Sequence, residues 1–571
     1  MLRSWLARPA TVRYLGLFGS LCCALDAVLF GAPTWIRQGV SVLSILRGPN
    51  GIVIMLLWIA GLTALCTAWW YGRRLRMPAR WIIVTAALWI VPMLVVPPLG
   101  SRDMYAYACQ GALFDAGLNP SVVGISAQPC PWLDSVSLVW RDTPTPYGPL
   151  WIMLAGLAAA FGSQAVALAV FRIYAVLAVA ALAVAVPPLA RRMDAPVDRA
   201  LWLILCCPIV AVHVVGGGHN DALSMVLLVA GLALIAGTAG ALGLPSAGSG
   251  PVRLGGSGSE TGPGSAGLAA SGTGTGSVGF AGAGAVAGSG SVGSAGGGAD
   301  AGPVGLPDAG ADRALGPPAA GTARPGGLLV AGAVRQVGLL AAGGALVGAA
   351  IAVKTTVGVV LPFAALLAAG GLRPGRKGWA RFLRRGGAVV GGALAGLLAL
   401  SIVSGLGLGW ATALSGAGES RSWTSPSTAV GIAANAVAKW FGVAIDVVPA
   451  ARLVALVLML VALVVIWWRF RRGNPLHGAA LACLTVIFCA PITQPWYLFW
   501  VLTLLAVTTV RIRWLEIAVV ASMFLILPNG DGAWKPMQVP FAFLVTGLVG
   551  WVGWRAVQWL RQPAPAEVAV R

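Results

Sequence analysis

The chain has 571 residues, 58% of them hydrophobic and only 10% charged, with Lys+Arg 38 against Asp+Glu 17. A soluble domain is roughly 25% charged, and so apolar a chain would aggregate in water, which leaves lipid as its solvent. The basic excess sits in short segments between apolar runs; this is the positive-inside pattern of a membrane protein rather than a surface for nucleic acid.

Apolar runs of roughly 16 to 25 residues recur without strand alternation, and a helix of about 20 residues crosses the hydrocarbon. The expected fold class is therefore an all-α polytopic membrane protein. The first run, Tyr14 to Gly31, follows Arg3, Arg8 and Arg13 but contains Asp26 and leads into more spans, so it reads as a retained anchor. Helices follow over Gly51 to Tyr71 and Trp81 to Val96, with Arg73, Arg74, Arg76 and Arg80 inside and the large loop 99–164 outside.

Two spans between Pro149 and Leu189 would put Arg191, Arg192 and Arg199 on the outer face. One span repairs the parity, so Pro149 to Phe161 is expected to lie on or dip into the outer leaflet, with Ala165 to Leu189 as the crossing. Further spans are expected near Leu201 to Val215, Ala222 to Gly237, Gln336 to Val353, Val357 to Ala369, Ala388 to Val403, Leu453 to Trp468, Gly478 to Ile492, Trp496 to Val510, Leu515 to Leu527 and Phe541 to Trp559. Every strongly basic loop then falls inside, giving about fourteen crossings with both termini cytoplasmic.

The Gly/Ser/Ala-rich tract 239–327 holds too few large apolar residues to offset chain entropy and reads as a disordered cytoplasmic linker. It separates an N-terminal membrane module, 1–238, from a C-terminal one, 328–571. Most of the nine cysteines lie in apolar runs, where they act as small hydrophobes. Cys109 and Cys130 share the outer loop, where a disulfide and two free thiols are equally open.

The uncommon polar residues gather at outward helix ends. In Ser101 to Gly111, helical spacing puts Asp103, Tyr107 and Gln110 on one face, although Ser101 and Asp103 also suit a plain helix cap. The segment Trp140 to Pro149 carries Arg141, Asp142 and Tyr147 on a proline-stiffened stretch that is either a turn or a substrate-positioning element. Gly216 to Asp221 is a glycine run that brings backbone close to something, with His219, Asn220 and Asp221 at its end. No second histidine stands at metal-ligand spacing, since His213 and His477 lie elsewhere.

Lys354 ends an apolar run on the outer side, against the positive-inside rule, and is the best candidate to hold an anion; Arg172, within a span, is a second. Snorkelling to headgroups is the alternative for both. Arg421, in the segment Glu419 to Trp423, and the set Gln494, Trp496, Tyr497 complete the outward polar pieces, the aromatics also suiting an interfacial belt.

Taken together, Ser101 to Tyr105, Gly117 to Pro120, Trp140 to Pro144, Pro146 to Pro149, Gly217 to Asp221 and Pro495 to Tyr497 make the chain resemble the actinobacterial polyprenol-phosphomannose-dependent alpha-1,6-mannosyltransferases (MptB-like), membrane glycosyltransferases of the GT-C superfamily. The resemblance spans most of both membrane modules but not the linker. It implies a GT-C fold, whose signature is a large external loop carrying two juxtamembrane helices, and the arginine parity independently places such helices near Asp103 to Ala116 and Pro149 to Phe161.

By the same resemblance, the essential acid opens that loop and is Asp103. Lys354, Arg102 and Arg172 are expected to bind the donor phosphate. Tyr107, Gln110, Arg141, Asp142, Tyr147, His219, Asn220, Asp221, Arg421, Gln494, Trp496 and Tyr497 are expected around the sugar and acceptor. Many GT-C proteins show paired acids; a single Asp beside Arg102 puts a metal in doubt, and no cofactor is expected. The implied activity is inverting transfer of mannose from polyprenyl-phosphate-mannose to a lipid-anchored alpha-1,6-mannan acceptor, of the lipomannan or lipoarabinomannan core type, outside the plasma membrane. Membrane lipids are the only other partner expected, and nucleic acid is not one. The alternative is a multi-spanning transporter or flippase of a lipid-linked sugar, but neither repeated halves nor polar residues near the bilayer midplane are evident.

Overall fold

A helix that is apolar on every face must meet lipid on one side and the bundle on the other, and Gly51–Gly72 does both. Ile52, Leu56 and Ile59, spaced four and three apart, are exposed, while Trp58, Leu62, Leu65 and Trp69 on the opposite stripe are buried. The computed structural model describes residues 8–30, 40–240, 325–413, 421–534 and 537–562. Most of the expected linker, 239–327, lies outside the described residues.

The chain is an all-α polytopic membrane protein. Among the described residues eight helices are long and apolar enough to cross a membrane: Pro9–Phe30, Gly51–Gly72, Gln164–Arg192, Asp221–Ala239, Gly332–Val353, Arg376–Val403, Val448–Phe470 and Gln538–Arg561. Val197–Leu205 and Val210–Gly216, bent by 55° about a break containing Pro208, make a ninth if counted as one span. The rest of the about fourteen expected crossings coincide with shorter helices: Ala79–Leu94, Thr355–Ala369, Pro475–Cys489, Pro495–Ala506 and Arg513–Met523. Several of these, such as Leu361–Ala369 and Leu498–Ala506, are almost wholly buried by other helices, so their apolarity reflects the bundle core as much as lipid.

Residues 1–250 and 329–571 cluster as one unit, so the two stretches expected as separate modules share a core. Ser224 Oγ, near the start of Asp221–Ala239, donates to the Ala350 carbonyl at 3.1 Å, and Arg73 pairs with Glu516 at 3.0 Å. Sequence reasoning passed over the helix Pro426–Trp440, whose small and polar residues lack an apolar run.

The stretch between Ala79–Leu94 and Gln164–Arg192 carries two helices, Asp103–Asp115 and Pro149–Ala159, where they are expected. Asp103–Asp115 and Pro149–Ala159 pack against each other, and the Tyr107 ring meets Trp151 and Phe171 edge-on at 5.0 and 5.9 Å. Cys109 and Cys130 are joined in a disulfide that ties the first of these helices to the loop after it.

Candidate active site

Asp103 is the first residue of its helix, and its backbone N–H donates to Ser101 Oγ at 3.0 Å. Its carboxyl, 21% exposed, has one oxygen 3.5 Å from His219 Nδ1. Gly218 makes that approach possible. Its φ is +66°, and a Cβ there would lie 2.2 Å from Met104 Cγ, the residue after Asp103. The imidazole of His219 in turn stacks on Trp496 with ring centroids 3.7 Å apart.

Lys354 sits where the chain leaves Gly332–Val353 for the 3-10 turn Thr355–Val360; its extended backbone forms an antiparallel bridge with Tyr147. The adjoining Gly148 has no room for a side chain, since a Cβ would lie 2.4 Å from the Ala352 carbonyl oxygen. Lys354 Nζ donates to Asp221 Oδ1 at 2.7 Å, and Trp500 Nε1 donates to the same oxygen at 2.5 Å. The ammonium also lies 4.8 Å from the centroid of the Tyr497 ring and 5.2 Å from that of Trp500, within cation–π range.

These groups meet in a cavity of about 390 Å³. Asp103, Lys354, Arg102, Tyr107, Gln110 and Tyr147 line it, and so do Arg421, Gln494, Trp496 and Tyr497. Burial pushes the Asp103 carboxyl up to about 6, opposed by the Lys354 charge and the Ser101 and Tyr107 hydrogen bonds and reinforced by Asp221. Burial, then His213 and Lys354, hold His219 well below the ordinary imidazole range, so it is neutral near pH 7. Tyr107 and Tyr147, their hydroxyls 3.1 Å apart, are raised by burial and stay protonated. Among the described residues no three carboxylate, imidazole or thiol groups converge as metal ligands.

Residues 13–252 match the model of the alpha-(1→6)-mannopyranosyltransferase family N-terminal domain, and residues 427–555 match the MptB C-terminal domain. The chain belongs to the alpha-(1→6)-mannopyranosyltransferase family. It is 27% identical to alpha-(1→6)-mannopyranosyltransferase A of Mycobacterium tuberculosis over 81% of this chain and 73% of that one. A second alpha-(1→6)-mannopyranosyltransferase of the same organism is 27% identical over 91% of this chain and 83% of the relative. A probable alpha-(1→6)-mannopyranosyltransferase of Mycolicibacterium smegmatis is 34% identical over 38% of this chain and 41% of its own. No solved structure matches. The protein is thus a mannosyltransferase, which takes a sugar donor and an acceptor.

Several residues singled out from the sequence lie outside the cavity of this mannosyltransferase. Arg172 donates to the Leu94 carbonyl at 3.2 Å and to that of Val96, closing the chain ends around the loop. Arg141 donates to the Val136 and Asp134 carbonyls, each at 3.2 Å, and Asp142 accepts from Ser126 Oγ at 2.5 Å; both organise the loop between Asp103–Asp115 and Pro149–Ala159. His219, Asn220 and Asp221 stand behind the cavity wall, each no more than 2% exposed. Glu419 lies outside the described residues. Conversely, Trp500, Asn529, Asp531 and Gln538 line the cavity without having been singled out. The segment Pro528-Asn529-Gly530-Asp531-Gly532 just after an apolar run was the available signal, a turn composition.

Proposed function

We propose that the enzyme transfers mannose with inversion from polyprenyl-phosphate-mannose to a lipid-anchored alpha-1,6-mannan acceptor at the outer face of the plasma membrane. The observation that carries this reading is that Asp103 and Lys354 open into one cavity. Asp103, raised toward neutrality yet still ionised at pH 7, takes the proton from the acceptor 6-hydroxyl, a contribution of roughly 100- to 10,000-fold. The hydroxyl oxygen forms a bond to C1 of the donor mannose as the bond from C1 to the phosphate oxygen breaks. Its electrons leave with the phosphate, which needs no protonated acid to depart.

Lys354 stabilises that anion, and Asp221 with Trp500 fixes where its ammonium points. Asp221 therefore acts as the counter-ion of the lysine rather than as a sugar ligand. His219 packs 3.5 Å behind the Asp103 carboxylate, while Tyr107, Gln110, Tyr147, Arg421, Gln494, Trp496 and Tyr497 form the surface the two sugars meet. Both termini are assigned to the cytoplasm by the basic loops.

Purified protein in detergent, given labelled polyprenyl-phosphate-mannose and a short alpha-mannoside, tests the proposal. Labelled disaccharide with an inverted anomeric centre is expected. Absence of turnover, or retention of configuration, would overturn it.

A further inference from the structure

Away from the catalytic cavity, two helices are joined at both ends yet leave a gap between them. Where Gly51–Gly72 ends and Arg513–Met523 begins, Arg73 pairs with Glu516 at 3.0 Å. Toward their other ends, Trp58 Nε1 donates to the Ile526 carbonyl at 3.1 Å. Between these ties lies a groove of about 390 Å³. One side is the stripe Thr63, Thr67 and Trp70, the other the stripe Ile517, Val520 and Phe524, each spaced by three or four residues. The concavity has a cause in the sequence. The earlier members of the first stripe are Ile52, Leu56 and Ile59, and it narrows to two threonines where the groove opens. Ile59 and Thr63 are exposed, so the opening faces out of the bundle, toward lipid.

None of the described residues lining the groove is charged; charge gathers at one end instead. Arg74 lies two residues past the end of the first helix, and Arg513 is the first residue of the second. Both are exposed, and both lie within electrostatic reach of Arg73. Glu516 is engaged by Arg73, and neither Arg74 nor Arg513 pairs with a carboxylate among the described residues. Trp514, 83% exposed, adjoins Arg513 and is an aromatic of the kind that settles at headgroup level. From Thr63 to Arg74 the groove runs about 16 Å, close to the depth of one leaflet of a hydrocarbon core about 30 Å thick. An apolar channel one leaflet deep, with cations lacking acidic partners at its mouth, has the shape and charge of a site for one anionic amphiphile.

We propose that this groove binds one anionic diacyl phospholipid, its phosphate held by Arg74 and Arg513 and one acyl chain laid between Thr67 and Val520. The site is separate from the one assigned to the sugar donor and does not depend on that assignment. Ile526, tied to Trp58 at the far end, also lines the catalytic cavity, so an occupied groove braces one of its walls.

The full chain, purified in detergent and stripped of lipid, is titrated with phosphatidylglycerol and with phosphatidylcholine of the same acyl chains, and followed by native mass spectrometry and thermal midpoint. One phosphatidylglycerol is expected to bind about 30-fold more tightly than phosphatidylcholine, the advantage of two arginine–headgroup contacts, and to raise the midpoint. Arg74→Gln combined with Arg513→Gln should abolish that preference and leave the weaker phosphatidylcholine binding. Thr67→Trp, which fills the groove, should abolish both. Inorganic phosphate alone should do nothing. If the double variant does not fold, Arg74→Gln alone should lose about fivefold of the preference. The site is overturned by equal binding of the two lipids, by a preference that survives the arginine substitutions, or by stabilisation that phosphate alone reproduces. A lipid-free dimer of the chain that Thr67→Trp splits would also overturn it, since a second copy would then be the occupant.

Discussion

The Lys354 ammonium and the Asp221 carboxylate form an ion pair at 2.7 Å, with side chains 8% and 0% exposed, joining residues far apart in the chain. A buried pair of this kind is costly to break from one side, because the abandoned charge stays in a low-dielectric site. Lys354→Ala is therefore expected to destabilise the fold by about 3–5 kcal/mol, seen as a lower thermal midpoint in detergent, and to raise the donor KM more than the acceptor KM. The double variant Lys354→Met with Asp221→Asn should regain much of the stability but not the donor affinity. Recovery of both would reduce the lysine to a structural role.

The base role proposed for Asp103 requires the carboxylate to be ionised. Since burial sets its carboxyl at about 6, the rate is expected to rise as pH increases through 6 and to level off near neutrality. Asp103→Asn should reach the membrane in normal amounts, keep donor binding and lose the rate together with that pH limb. An unchanged rate in the variant would remove Asp103 from the mechanism.

Gly218 holds a left-handed turn against Met104, so Gly218→Ala combines backbone strain with a clash at 2.2 Å. The expected result is a loss of kcat well beyond the loss in thermal stability, because the displaced groups are the helix start that carries Asp103 and the His219 behind it. Parallel losses would mean that the turn only supports the fold.

The Cys109–Cys130 bond closes a loop with a sequence separation of 21. Cys130→Ser is expected to cost about 3 kcal/mol on the chain-entropy estimate, measured as a drop in thermal midpoint that added reductant reproduces in the wild-type protein and does not deepen in the variant.

How far the sequence foretold this arrangement depended on whether a signal was local or long-range. Apolar runs located the helix Pro149–Ala159, and helix spacing placed Asp103, Tyr107 and Gln110 on one face; both depend only on neighbours in the chain. The partner of Lys354 was not legible, because the sequence gives no measure of which of several outward polar residues comes within hydrogen-bond reach of another. Asp221 consequently looked like a ligand group when it is a buried counter-ion. Arg172 was misjudged as a cavity cation for a related reason, since backbone carbonyls freed where Ala79–Leu94 ends are invisible until the chain is folded. Asn529 and Asp531 carried a turn signature, but only their seat on Gly100 and Ser101 brings them beside Asp103.

The Tyr147–Lys354 bridge has a consequence for how the enzyme comes into being. A ribosome inserting this protein delivers the acid long before the lysine, and the lysine long before Trp500 and the turn at Asn529. During that interval the growing polypeptide carries Asp103 without the partners that line its cavity, so the chamber exists only once the chain has passed residue 529.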